Sequence, residues 1–146
     1  MTKITVKLKD YDVLHDLFKQ APEKTAKEIN IAVQKVILKV QGSAMKLAPI
    51  QSGKLRQSVT SQMTGIGSGK VEVGSSYGIF VHDGTKPHII QVKKKRCLAN
   101  VKTGQIFGKI VHHPGTKANP FLQNAADTEM TFIDKVFGEA VDNIMK

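Results

Sequence analysis

The chain changes hydrophobic period three times. Ile4, Val6 and Leu8 stand among Lys and Thr with the two-residue repeat of a half-buried strand over residues 3 to 8. Asp10 or Asp12 then caps a short helix with Val13, Leu14, Leu17 and Phe18 on one face, which Ala21-Pro22 interrupts. From Pro22 the repeat lengthens. Ala26, Ile29, Val33, Val36, Ile37, Val40, Ala44 and Leu47 recur at spacings of three and four, predicting a long helix with Pro22 in its first turn and an end before Pro49. Gly42 lies inside that helix at a cost of about 1 kcal/mol and marks a candidate bend.

After Pro49 the strand period returns. Leu55, Ser58, Val59 and Ser61 predict one strand, Val71 and Val73 a second, with Thr64 to Gly69 as the Gly-rich connection. Tyr77, Ile79 and Val81 predict a third, closed by Gly84-Thr85-Lys86-Pro87. Residues 88 to 101 and 105 to 112 predict a long hairpin turning at Lys102-Thr103-Gly104. Asn119 is placed to cap a last helix with Pro120 at its first position. Leu122, Ala125, Ala126, Met130, Ile133, Val136, Phe137, Ala140, Val141 and Ile144 form its apolar stripe. The expected fold class is α+β: an antiparallel sheet with a long N-terminal helix and a C-terminal helix packed on it, plus a long basic β-hairpin. One domain is expected over 1–146, with the hairpin at about 86–117.

Composition narrows the function classes. A chain of 146 residues, 40% hydrophobic, can bury a core without disulfides or metal and is too apolar to be disordered throughout. It is too short for a two-domain enzyme or a full-size dinucleotide-binding fold. The single cysteine, Cys97, excludes an intramolecular disulfide and a zinc module built from thiolates, and fits a reducing compartment. No run approaches the ~20 apolar residues of a membrane span, and the first residues lack the apolar centre of a secretory signal. The expectation is a soluble protein, with no membrane partner, made in a cytoplasm.

Charge is segregated. The net charge is +10, yet no acid occurs between Asp83 and Asp127. That interval holds Lys86, Lys93, Lys94, Lys95, Arg96, Lys102, Lys109 and Lys117, with His88, His112 and His113 beside them. Such a one-signed stretch favours a polyanion or an acidic protein surface, with a solvated basic face as the plain alternative. These eight cations are the candidate interface to a partner or to DNA.

Catalytic motifs do not assemble. Thr64-Gly65-Ile66-Gly67-Ser68-Gly69-Lys70 has Thr64 where a phosphate loop needs glycine and Val71 where it needs a hydroxyl, and Lys70 stands where a dinucleotide fingerprint needs its third glycine. Ser43-Ala44-Met45-Lys46 and Lys102-Thr103-Gly104 match two elements of penicillin-binding enzymes, but the third is missing, and so is any Gly-x-Ser-x-Gly turn. His82, Asp83, His88, Cys97, His112 and His113 carry metal-binding atoms without helical i, i+4 spacing, and adjacent His112 and His113 in a strand point to opposite faces. The expectation is no enzyme, no catalytic residue, no cofactor and no metal. Few aromatics are free to stack bases, which argues against sequence-specific single-strand binding and leaves nonspecific backbone contact open.

Three blocks, in order, carry a resemblance. They are Ala48-Pro49-Ile50-Gln51-Ser52-Gly53-Lys54-Leu55-Arg56-Gln57-Ser58, then Tyr77-Gly78-Ile79-Phe80-Val81-His82-Asp83-Gly84-Thr85, then His113-Pro114-Gly115-Thr116-Lys117-Ala118-Asn119-Pro120-Phe121-Leu122 followed by Ala125. Together they resemble the tail-component and neck proteins of long-tailed bacteriophages, a broad group to which the lambda minor tail protein Z is related. The family often has an acidic or aromatic residue before its Gly-Thr turn, and here His82-Asp83 precede Gly84. The resemblance implies a virion part at the head-tail junction or tail end. Such a part acts by docking to other head-tail connector and tail proteins in a homo-oligomeric ring around the DNA path, after synthesis in the host cytoplasm. On that reading Gly53, Gly84 and Gly115 permit turns, Pro49 and Pro120 set helix ends, and Leu55, Tyr77 and Phe121 pack the core. A freestanding nonspecific DNA-binding protein is the alternative that the charge alone supports equally.

Overall fold

The computed structural model describes residues 23–50, 53–93, 97–100 and 103–145. The expected strand over residues 3 to 8 and the short helix after it lie outside them.

The first described helix, α1 (Glu23–Leu47), has an acid in its first turn and Lys46 in its last, both favourable to the helix dipole. Of the apolar stripe legible in the sequence, Ile29, Val33, Val36, Ile37, Val40 and Ala44 are buried and Ala26 is half-buried, while Ala32, outside that stripe, is buried as well. Leu47, read as part of that stripe, is 44% exposed where the helix ends ahead of Pro49. Gly42 does not interrupt the helix. A one-turn helix α2 (Lys54–Gln57) follows, then strands β1 (Val59–Gly65) and β2 (Ser68–Val73), paired antiparallel from Val59 opposite Val73 to Gly65 opposite Ser68.

Helix α1 packs against both strands and against the two C-terminal helices, α4 (Phe121–Thr128) and α5 (Met130–Met145). Ile29, Val33 and Ile37 hold one side of this core with Met63, Val71, Phe137 and Ile144. Phe121 and Leu122 are fully enclosed, each contributing about 1.5–3 kcal/mol by leaving water. Gly69 brings the β2 backbone onto α1: a Cβ there would stand 2.9 Å from the Ile37 side chain. The connecting turn is pinned by Asn30 of α1, whose Oδ1 accepts from the Gly67 N–H at 2.8 Å.

The short elements differ from the sequence expectation. Residues 54 to 57 form helix α2, not strand, because Gly53 turns into the left-handed region at φ 72° and only Leu55 then points inward. The Ser58 hydroxyl donates back to the Leu55 carbonyl, ending the turn where β1 begins. Tyr77, Ile79 and Val81 do not form a strand either. They belong to a turn and helix α3 (Gly78–His82), and the core contact is made by Gly78, where a Cβ would meet Val73 Cγ1 at 2.7 Å. Tyr77 is 40% exposed, so it is not a core residue. The terminal helix is broken at Glu129. Pro120 flanks α4 without a side-chain cap, and Met130 and Val141, read as core stripe, are 46% and 47% exposed.

By contacts the chain divides into two compact units, one of residues 1–79 with 120–146 and one of residues 80–119. The α1 core described above belongs to the first. The second is built from β3 (His88–Gln91), β4 (Leu98–Ala99), β5 (Ile106–Gly108) and β6 (Ile110–His113).

Candidate functional site: the basic arm

Unit 80–119 is an arm of two antiparallel ladders. β3 pairs with β6 from His88 opposite His113 to Gln91 opposite Ile110, and Val92 N–H continues the ladder to Lys109 O at 3.0 Å. β4 pairs with β5, Leu98 opposite Gly108, and Asn100 closes the end by donating to Gln105 O at 2.8 Å. Five residues separate Val92 from Leu98 on one side, while Lys109 and Gly108 opposite them are adjacent. The expected long hairpin is present in this form.

Its root is a clasp. Thr85 and Thr116 exchange both backbone hydrogen bonds, at 3.0 and 3.1 Å, and their hydroxyls lie 3.0 Å apart. Gly84 and Gly115 flank the bridge at φ 74° and 89°. A Cβ on Gly84 would stand 2.5 Å from Thr116 O, and one on Gly115 would overlap Thr85 O. Both positions therefore need glycine twice over, for backbone angle and for space. Asn119 N–H donates to Val81 O at 3.0 Å and closes the other side. The signal was available in the sequence, where Gly-Thr-Lys occurs at 84–86 and again at 115–117.

None of the arm's described residues is buried, and Phe80, Ile89, Ile106, Phe107 and Ile110 are 44–69% exposed. On one face of the β3–β6 ladder, Ile89, Gln91, Ile110 and His112 are all exposed. On the other, the rings of His88 and His113 stack at 5.0 Å, so His112 and His113 do point to opposite faces. His113 Nδ1 accepts from Gly115 N–H at 3.1 Å, tying the stacked pair to the clasp. Sequence reasoning assigned the charge to this segment and missed its exposed apolar side chains.

Eight cations in the arm face one acid, Asp83, a net of +7 out of the +10 of the whole chain. Lys86 and Lys117 emerge from the clasp, Lys93 follows the β3–β6 ladder, and Lys109 lies between β5 and β6; all four are exposed. Lys94, Lys95, Arg96 and Lys102 lie outside the described residues. Asp83 Oδ1 is engaged by His82 Nδ1 at 2.6 Å. Among the described residues no acid pairs with an arm lysine, and no group of three or more His, Cys, Asp and Glu is placed to hold a metal. The Gly-rich turn at 64–69 offers little to a phosphate, since its Gly67 N–H is taken by Asn30. No described helix is long and apolar enough to cross a membrane.

The chain belongs to the HK97-gp10-like family, described as "Bacteriophage HK97-gp10, putative tail-component", whose family model matches residues 12–84, half of the chain. It is thus a structural phage protein of the tail-component kind, a part of the virion. The match spans the first of the three blocks singled out in the sequence and the second as far as Gly84; the block His113 to Leu122 lies beyond it. Comparison with curated proteins and with solved structures finds no match.

Proposed function

We propose that this tail component acts at the head-tail junction or tail end, completing the neck by protein-protein docking in a ring around the DNA path, without catalysis or cofactor. Its partners are other connector and tail proteins, and it resides in the host cytoplasm until assembly. The observation that carries this reading is the arm, a segment with a net charge of +7, five exposed large apolar side chains and no described buried residue. A hairpin without a core is marginal alone and gains stability where a partner covers it. Fixed positive charge packed around a DNA channel would hold the genome too firmly for ejection, so the cations are matched to protein acids.

The test is to replace Lys93, Lys94, Lys95 and Arg96 by Glu. The expected protein folds with unchanged helix content, while electron microscopy shows heads and tails that do not join. Normal yields of infectious particles from this mutant would overturn the reading.

Nonspecific binding to duplex DNA is the second reading, favoured by the same exposed charge. It requires tight binding by the isolated protein that weakens steeply between low and physiological salt. Binding that changes little with salt, or none, leaves docking to protein as the function.

A further inference from the structure

The body presents two exposed apolar helix stripes, and each includes a glycine with open space where a side chain would be. On α1 the stripe is Ile31, Leu38 and Gly42; on α5 it is Met130, Gly138 and Val141, at i, i+8 and i+11 on one face. Glycine inside a helix costs about 1 kcal/mol relative to alanine. No neighbour within 4 Å of either position requires it. At Gly138, which is exposed, the missing side chain leaves a notch between Val141 and the charged Asp134, Lys135 and Asp142, with room for one large side chain from outside.

Charge separates the two stripes. The α1 stripe is bordered by Lys35 and Lys39. The α5 stripe contains Asp134 and is bordered by Asp142, and the segment 121–145 carries five acids against Lys135, a net of −4. Arm and α5 are therefore complementary in charge and in exposed apolar surface, whereas arm and α1 repel. The arm's last ladder offers the matching knobs, since Ile106 and Phe107 are 69% and 44% exposed beside Lys109.

We infer that the arm of one copy seats on α5 of a second copy, with Phe107 or Ile106 in the notch at Gly138 and the arm lysines over Asp134 and Asp142. The inference rests on the docking reading above and names its partner: another molecule of the same chain.

A photo-crosslinking amino acid at position 107 in one copy, mixed with a longer tagged copy that lacks it, tests the contact. Irradiation of the purified mixture is expected to give a crosslink between the two lengths, mapping to residues 130–145. Gly138→Leu in the tagged copy is expected to raise its melting temperature by about 2–4 °C, because leucine favours helix, and to abolish the crosslink by filling the notch. Lys93→Glu with Lys109→Glu in the arm is expected to lower the yield about fivefold, and Asp134→Lys with Asp142→Lys in the acceptor to restore it. A crosslink that maps to α1, stays within one chain, survives Gly138→Leu or does not form overturns the inference. The docking reading then still stands if the four-residue reversal to Glu blocks joining of heads to tails, and a neighbour other than this chain covers the arm.

Discussion

Single glycines decide whether the arm keeps its shape. Gly115 combines a φ of 89° with a site where a Cβ would strike a main-chain oxygen, and main chain cannot swing aside as a side chain can. Gly115→Ala should cost at least about 1–2 kcal/mol locally from the left-handed backbone alone. The expected outcome is faster amide hydrogen exchange at Thr85 and Thr116, with the denaturant midpoint of the body unchanged, because the arm supplies no described buried side chain. At this scale the sequence was readable where one property sufficed. Leu55 and Phe121 were read as core and are 3% and 0% exposed. Tyr77 was read the same way and is 40% exposed, because the close approach to Val73 is made by Gly78, a residue that no hydrophobic pattern marks.

Elements were legible in proportion to their length. Helix α1 repeats its apolar spacing through 25 residues, so its period is unambiguous. Helices α2 and α3, of 4 and 5 residues, are too short to show any period, and their apolar residues fit alternation as well as a turn of helix. The break between α4 and α5 was not visible because the apolar stripe continues across it. Tertiary contacts hold Glu129 there: its carboxylate accepts from the Ser43 hydroxyl of α1 and lies 3.8 Å from Lys39 Nζ. Glu129→Ala removes the acceptor and leaves the Ser43 hydroxyl half-buried without it. The expected loss is about 1–2 kcal/mol, seen as a lower urea midpoint with an unchanged slope.

For the whole molecule, stability and charge reside in different segments of the chain. Replacing residues 88–113 by a short Gly-containing turn removes six cations and takes the formal net charge from +10 to +4. Every buried side chain among the described residues lies outside that span. The shortened protein should therefore keep its helical circular dichroism and its stability to denaturant within about 0.5 kcal/mol, and on the docking function proposed above it should no longer join heads to tails. Unfolding of this variant would show that the arm supports the body and would remove the division of labour argued above. The sequence by itself determined the long helix, the hairpin and the location of the charge, since periodicity and like-charge runs are properties of neighbours along the chain. It also carried the three motif blocks, of which the family match covers the first and the second as far as Gly84. Only the tertiary structure decided which apolar residues are core and which are surface. Met130 and Val141 carry the same pattern as Ile133 and Ala140, and they differ in burial because a helix face is buried only where another element reaches it.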